Sequence, residues 1–391
     1  VTNSALRFRV FAGAAALAIG VTGIGAALVS EPASAAPASQ AALTDTDGDG
    51  LPDVWETNGY DADGDGQIDV DLPAMGADPK KKDLFVEMDY MQGRLPGTAA
   101  FDRIKASFAA APVSNPDGST GINIHLDAGS AGGGNYNLGG GNQVPYDSDL
   151  NPYASQTNAI KDNNFDSARA KIFRYMIWAD DYDSSCSSGV AFGIPGDTFI
   201  VTMGPRCGWK TTEDMQVGTF IHELGHTLGL KHGGSDHTNY KPNYLSVMNY
   251  TFQFSGVPKA DGSFSFSYSN VNPASLNESS LNEANGLGSS ASAWKTSWFC
   301  PDKTKRTTSG AASQPIDWNC NGTAGGTVSA DINKDGSKGT LSAQNNWANI
   351  SFRGGNIGSG AGMKARSLQL ENQEPELTKA DWDLLQQGIQ P

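Results

Sequence analysis

The 391-residue sequence is long enough for one substantial core plus a satellite module, because single cores stop growing at roughly 250 to 300 residues. Its 42 acidic against 27 basic residues give a formal charge of -15, which argues against nucleic acid or an anionic membrane surface as partner and suits a chain that holds divalent cations. Many of the 47 glycines sit in Asn/Ser/Asp-rich stretches, so long loops on a modest regular scaffold are expected.

Residues 1–35 read as a signal peptide. Arg7 and Arg9 precede an uncharged run from Val10 to Val29, and Ala33-Ser34-Ala35 supplies the small residues of a cleavage site. A retained anchor is the competing reading, since about twenty uncharged residues can span a bilayer, but the run is mostly alanine and glycine. Secretion is therefore expected, with no membrane association after cleavage. The acidic segment 36–80 follows. Asp45, Asp47, Asp49, Asp53 and Glu56 stand at positions 1, 3, 5, 9 and 12 of a calcium loop, with Gly50 at position 6. In such a loop alternate carboxylates converge on one hard cation while the glycine permits the sharp turn. Asp61, Asp63, Asp65 and Asp69 repeat the first nine positions around Gly66, with Leu72 where the last ligand belongs and Asp71 as a weaker substitute. The two phrases resemble the tandem calcium repeats of thrombospondin type 3 proteins. A solvated acidic linker is the plain alternative.

Residues 81–391 are expected to form the catalytic domain. Residues 84–90, 121–127 and 199–203 read as strands and 98–108 as a short amphipathic helix. Phe165, Ala168, Ile172, Phe173, Met176 and Ile177 recur at helical spacing, which predicts a helix ending near Asp180. Such an alternation predicts an α+β fold, a mixed sheet with packed helices. Cys186, Cys207, Cys300 and Cys320 form an even set that suits an oxidising compartment, and their clustering favours the pairs Cys186–Cys207 and Cys300–Cys320 among the three connectivities available. Zinc ligation by cysteine competes, without a Cys-x-x-Cys pair to support it.

The chemistry lies in residues 220–232. On a helix His222 and His226 stand one turn apart, about 6 Å along the axis, so both imidazoles leave one face and reach one zinc at roughly 2.0 to 2.1 Å. Glu223 lies beside them as general base, able to take a proton from water and pass it to a leaving amine. Ile221, Leu224 and Leu228 fall on the side expected to face the core. Gly229 can adopt positive φ, stop the helix and return His232 as third ligand. Three protein ligands leave one position open, the mark of a catalytic zinc. Downstream comes the apolar turn around Met248 and Tyr250.

This combination resembles the metzincin clan of zinc peptidases over about His222 to Tyr250. The resemblance implies a two-lobed domain, with the zinc helix between an upper sheet and a lower lobe. Met248 would underlie the metal and Tyr250 assist the transition state. It implies a secreted zinc endopeptidase acting on protein or peptide substrates bound as an extra strand at a sheet edge, with zinc and calcium as cofactors. Gly233 after the third histidine matches none of the astacin, serralysin, reprolysin or matrixin patterns and leaves the subfamily open. Pro205-Arg206-Cys207-Gly208 is similar to the matrixin latency switch, but Cys186 offers Cys207 a local partner and the disulfide is preferred. The rival reading is a calcium-stabilised extracellular binding or adhesion protein with an inactive zinc site; the intact Glu223 speaks against it. A zinc deacetylase is remoter, disfavoured by the turn at Met248. A monomer is expected.

From about residue 291 the chain reads as a loop-rich extension. Asp317, Asn319 and Asn321 before Gly322, and Asp331, Asn333 and Asp335 before Gly336, look like half calcium loops or simple Asx turns, with Val328 and Ser342 at position 12. Thr378 and Asp381 predict a capping box opening a final helix. His125 reads as a structural strand residue, and His237 as an exposed or cleft-lining one.

Overall fold

The computed structural model describes residues 43–358 and 376–391, so the expected signal peptide lies outside the described residues. From Leu43 onward the chain forms one compact unit. Its centre is a mixed sheet made of β1 (Asp83–Met91), β2 (Asn123–Asp127), β3 (Gln143–Val144), β4 (Phe173–Trp178), β5 (Gly189–Gly193) and β6 (Gly196–Val201). The strand order is β2-β1-β4-β6-β5, with β3 paired to the far end of β1. All pairings are parallel except that of β5 with β6, so β5 is an antiparallel edge strand. The chain is thus mixed α+β, as its alternation of elements predicts.

Helices cover both faces. α3 (Thr98–Ala109) and α5 (Glu213–Thr227) bury Phe101, Ile104, Phe108, Val217, Phe220 and Ile221 against Leu84, Val86, Met176, Trp178 and Phe199. On the opposite face α4 (Tyr153–Asn164) covers Tyr175, Ile177, Val190 and Ile200. Beside α4, Leu51, Tyr60, Val70 and Leu72 of the acidic segment pack on Phe85 and Phe173. That segment carries two short helices, α1 (Asp53–Asn58) and α2 (Leu72–Met75). Its apolar residues are therefore part of the sheet's cover.

Residues 173–178, expected as part of a helix, are instead the central strand β4, with every residue buried. A parallel strand covered on both faces reads as a continuous apolar run, and 172, 173, 176 and 177 happen to satisfy the helical period as well. The helix lies earlier, in α4, where only Thr157 is fully buried. A helix that polar has little periodicity to reveal it.

Below α5 a second cluster gathers Leu245, Phe252, Trp298, Trp318, Ile332 and Leu341. Short two-stranded ladders join residues 257–258 to 264–265, 276–277 to 340–341, 281–282 to 327–328 and 297–299 to 305–307. Cys300–Cys320 closes this region, and Cys186–Cys207 ties the chain before β5 to the loop after β6. Both expected pairings are present. The final helix α6 (Lys379–Gln386) opens with the anticipated capping box at Thr378 and Asp381. Among the described residues no helix is long and apolar enough to cross a membrane.

Candidate metal centre

The helix α5 starts where Thr212 accepts the Met215 N–H at 3.3 Å, and its first-turn acids Glu213 and Asp214 pair with Arg103 of α3 at 2.7 and 2.6 Å. It ends in a Schellman arrangement. Leu230 N–H donates to the Gly225 carbonyl and Gly229 N–H to that of His226, both at 2.9 Å, with Gly229 at φ +90°. Arg174 of β4 anchors this end. Buried, it donates to Thr227 Oγ1 at 3.1 Å and to the Phe352 carbonyl at 2.6 Å, and burial lowers its pKa to about 10.

The turn brings the three histidines together. His226 Nε2 lies 3.2 Å from His222 Nε2 and 3.1 Å from His232 Nε2. Atoms at the corners of a tetrahedron with such edges stand about 2 Å from its centre, which is the zinc–nitrogen distance. The far ring nitrogens fix the orientation: His222 Nδ1 donates to the Val247 carbonyl at 2.8 Å and His226 Nδ1 to that of Leu230 at 2.7 Å. Each Nε2 is thereby left to face the centre. Burial lowers the pKa of His222, and that of His232 to about 4, so both are neutral, as metal ligation requires. Met248, fully buried, lies against α5 so closely that a Cβ on Gly225 would overlap its sulfur.

Glu223 is fully buried beside this cluster, and neither carboxylate oxygen has a hydrogen-bond partner among the described residues. Burial, reinforced by the Glu376 carboxylate, raises its pKa well above the usual carboxylate range. Its ionisation needs a positive charge among the imidazoles. Gly189 of β5 permits its approach: a Cβ there would sit 2.7 Å from Glu223 Oε1. The Tyr250 hydroxyl is 3.1 Å from His232 Nε2, and burial keeps it protonated.

Glu376, which sequence reasoning missed, completes the group. Its Oε2 lies 3.3 Å from both His222 Nε2 and His232 Nε2, its Oε1 3.3 Å from His226 Nε2, and the Tyr250 hydroxyl donates to Oε2 at 3.0 Å. No motif surrounds Glu376; only the pairing of its neighbours with the strip before β5 brings it here.

A second candidate centre lies in the acidic segment. Ligand oxygens of Asp45, Asp47 and Asp49 lie within 4.8 Å of one another, as do those of Asp49, Glu56 and Asp83. Asp45 accepts the Gly48 and Gly50 N–H groups at 2.8 and 3.1 Å, the fold of a loop whose side chains turn inward. Both Glu56 oxygens and Asp47 Oδ2 are buried without partners among the described residues. Burial and the neighbouring carboxylates push Asp47 up to about 6, Asp49 to about 8 and Glu56 to about 10. Asp83, the first residue of β1, was not foreseen; its N–H donates to Asp49 Oδ2 at 2.7 Å. Asp53 stands apart, accepting from Thr46 at 2.6 and 2.7 Å.

The second loop brings Asp61, Asp63 and Asp69 together near the surface, while Asp65 accepts the Gln67 N–H at 2.8 Å. Asp71 caps α2 through the Ala74 N–H at 3.1 Å and is not among the residues grouped with Asp61, Asp63 and Asp69. Asp317 and Asp331 adopt the same turn, accepting from Gly322 and Gly336 at 2.7 and 3.1 Å, but among the described residues neither joins a metal-type cluster. His125 is structural, 2.5 Å from Asp83 and stacked on Phe85; His237 is half-buried.

Comparison with protein-family models, curated proteins and solved structures finds no match for this chain.

Proposed function

We propose that the chain is a secreted zinc endopeptidase of the metzincin kind, stabilised by calcium. The observation that carries this reading is the convergence of three imidazoles on one point, beside a buried glutamate whose carboxylate has no hydrogen-bond partner among the described residues. A buried ionised carboxylate costs several kcal/mol unless a cation or hydrogen-bond donors offset it, so Glu223 calls for a cation at this point. The donor set suits zinc, three imidazole nitrogens with that of His226 3.2 and 3.1 Å from the other two. Bound there, zinc would polarise a peptide carbonyl and acidify water.

Glu223 then accepts the proton of the attacking water and delivers it to the leaving amine. The Tyr250 hydroxyl, 3.1 Å from His232 Nε2, donates a hydrogen bond to the oxygen on which charge develops. Edge strand β5, with Gly189 against Glu223, offers an extended peptide a backbone to pair with. The metzincin resemblance rests on the Gly229 turn and on Met248 beneath α5. Secretion is supported by the two disulfides. Calcium is supported by the buried, unpartnered oxygens of the first acidic loop.

A second reading, a closed structural zinc in a binding protein, is favoured by Glu376, because four protein ligands mark structural sites. Zinc analysis and peptide cleavage decide between them. The peptidase reading expects about one zinc per chain, lost in His226→Ala, and chelator-sensitive cleavage of a mixed peptide library by the Glu376→Ala variant.

A further inference from the structure

The metal centre is shut. His222, His226, His232 and Glu223 are each at most 2 % exposed, although a peptidase must admit a polypeptide to these groups. Facing the imidazoles is Glu376, the first residue of the chain's own segment 376–378. Ser188, the residue before β5, donates its N–H to the Leu377 carbonyl at 2.9 Å, and Ser187 pairs antiparallel with Thr378. Lys379 N–H continues the pairing to the Cys186 carbonyl at 2.9 Å. The segment therefore lies as an extended strand along the continuation of the sheet edge, with Leu377 fully buried in the main core.

Glu376 stands at the end of this strand with its carboxylate facing all three imidazoles and hydrogen-bonded to Tyr250. Peptide hydrolysis converts a carbonyl into a carboxylate, and a product carboxylate would meet the same partners. A permanent fourth ligand would leave Glu223 buried with nothing to act upon. A displaceable one accounts for both carboxylates, one as base and one as occupant of the place the base must reach.

We propose that Glu376 is a built-in product mimic: a displaceable fourth ligand that holds this chain latent while segment 376–378 fills the place of a substrate strand. The inference rests on the zinc peptidase reading. The latent form binds any ligand of the open position with an affinity reduced by the fraction of molecules in which Glu376 is displaced.

The test uses the full chain loaded with zinc, with acetohydroxamate as a small bidentate probe, and compares wild type with Glu376→Ala. Glu376→Gln, which keeps the side chain's shape but ligates poorly, is the second variant should the alanine change impair folding. Zinc content is measured on every sample, and the cobalt-substituted proteins report coordination through their visible spectra. The expected result is about one zinc per chain throughout, an altered cobalt spectrum in the variants, and acetohydroxamate binding at least about tenfold tighter than in wild type. Equal hydroxamate affinity and unchanged spectra at full zinc loading would overturn the assignment of Glu376. Loss of zinc from folded variants would make Glu376 a permanent ligand and overturn latency. A wild type that takes up no zinc would overturn the peptidase reading itself.

Discussion

Gly229 sits at φ +90°, and the chain reverses there so that His232 meets His226. An L side chain in that region costs about 1–2 kcal/mol, so Gly229→Ala should lower stability by about that amount and weaken zinc retention with it. Denaturant unfolding and metal analysis on the same sample check both, and a variant with wild-type stability would show that the turn does not depend on glycine. Tyr250→Phe deletes one hydroxyl, 3.1 Å from His232 Nε2 and 3.0 Å from Glu376. The variant should show reduced turnover in the Glu376→Ala background with zinc content unchanged, because the ring still packs while the hydroxyl's hydrogen bond to the transition state is lost. Metal loss in Tyr250→Phe would instead assign the hydroxyl a role in holding the site together.

At the scale of elements, α5 was legible because its chemistry is local. Histidines one turn apart, an apolar stripe at Ile221, Leu224 and Leu228, and a glycine at the stop all lie within one short stretch, and all three apolar residues are fully buried. The disulfides and the Thr378 capping box were readable for the same reason. The pairing of β4 and the partners of Glu376 and Asp83 are non-local. Nothing in residues 173–178 distinguishes a doubly covered strand from a buried helix turn, and nothing beside Glu376 announces three imidazoles far back in the chain. The polar network under the sheet was equally invisible. Arg169 pairs with Glu87 of β1 and, at 2.7 Å, with Asp127 of β2, all three buried. Arg169→Met leaves two buried carboxylates without their cation and should cost about 3–5 kcal/mol, read as a lowered urea midpoint. A shift below about 1 kcal/mol would mean that the pair behaves as an exposed one.

For the whole molecule, calcium in the acidic segment would be coupled to the stability of the sheet, since Leu51, Tyr60 and Leu72 pack on Phe85 and Phe173 while Asp83 of β1 joins Asp49 and Glu56. Without the ion, the folded-state values of about 6 for Asp47, 8 for Asp49 and 10 for Glu56 lie above their ordinary values of 3.8 and 4.5. The folded state then binds more protons than the unfolded one. Its stability is fullest below about pH 4 from these groups and is lost as pH rises through those folded values. Calcium bound to the ionised carboxylates, as proposed, would relieve that loss. The melting-temperature gap between calcium-loaded and stripped protein should therefore widen from pH 5 to pH 8, and an unchanging gap would remove calcium from this loop.

The central claim, that Glu223 serves as the base of a zinc peptidase, is tested most directly by measuring zinc content and mixed-peptide cleavage in Glu376→Ala with and without Glu223→Ala. Glu223 approaches the centre without belonging to the ligand set. The expected result is about one zinc per chain in both proteins, cleavage by the single variant that a chelator abolishes, and loss of nearly all cleavage in the double variant. Folded, zinc-loaded Glu376→Ala that cuts no peptide, or a double variant that cuts as well as the single one, would contradict it.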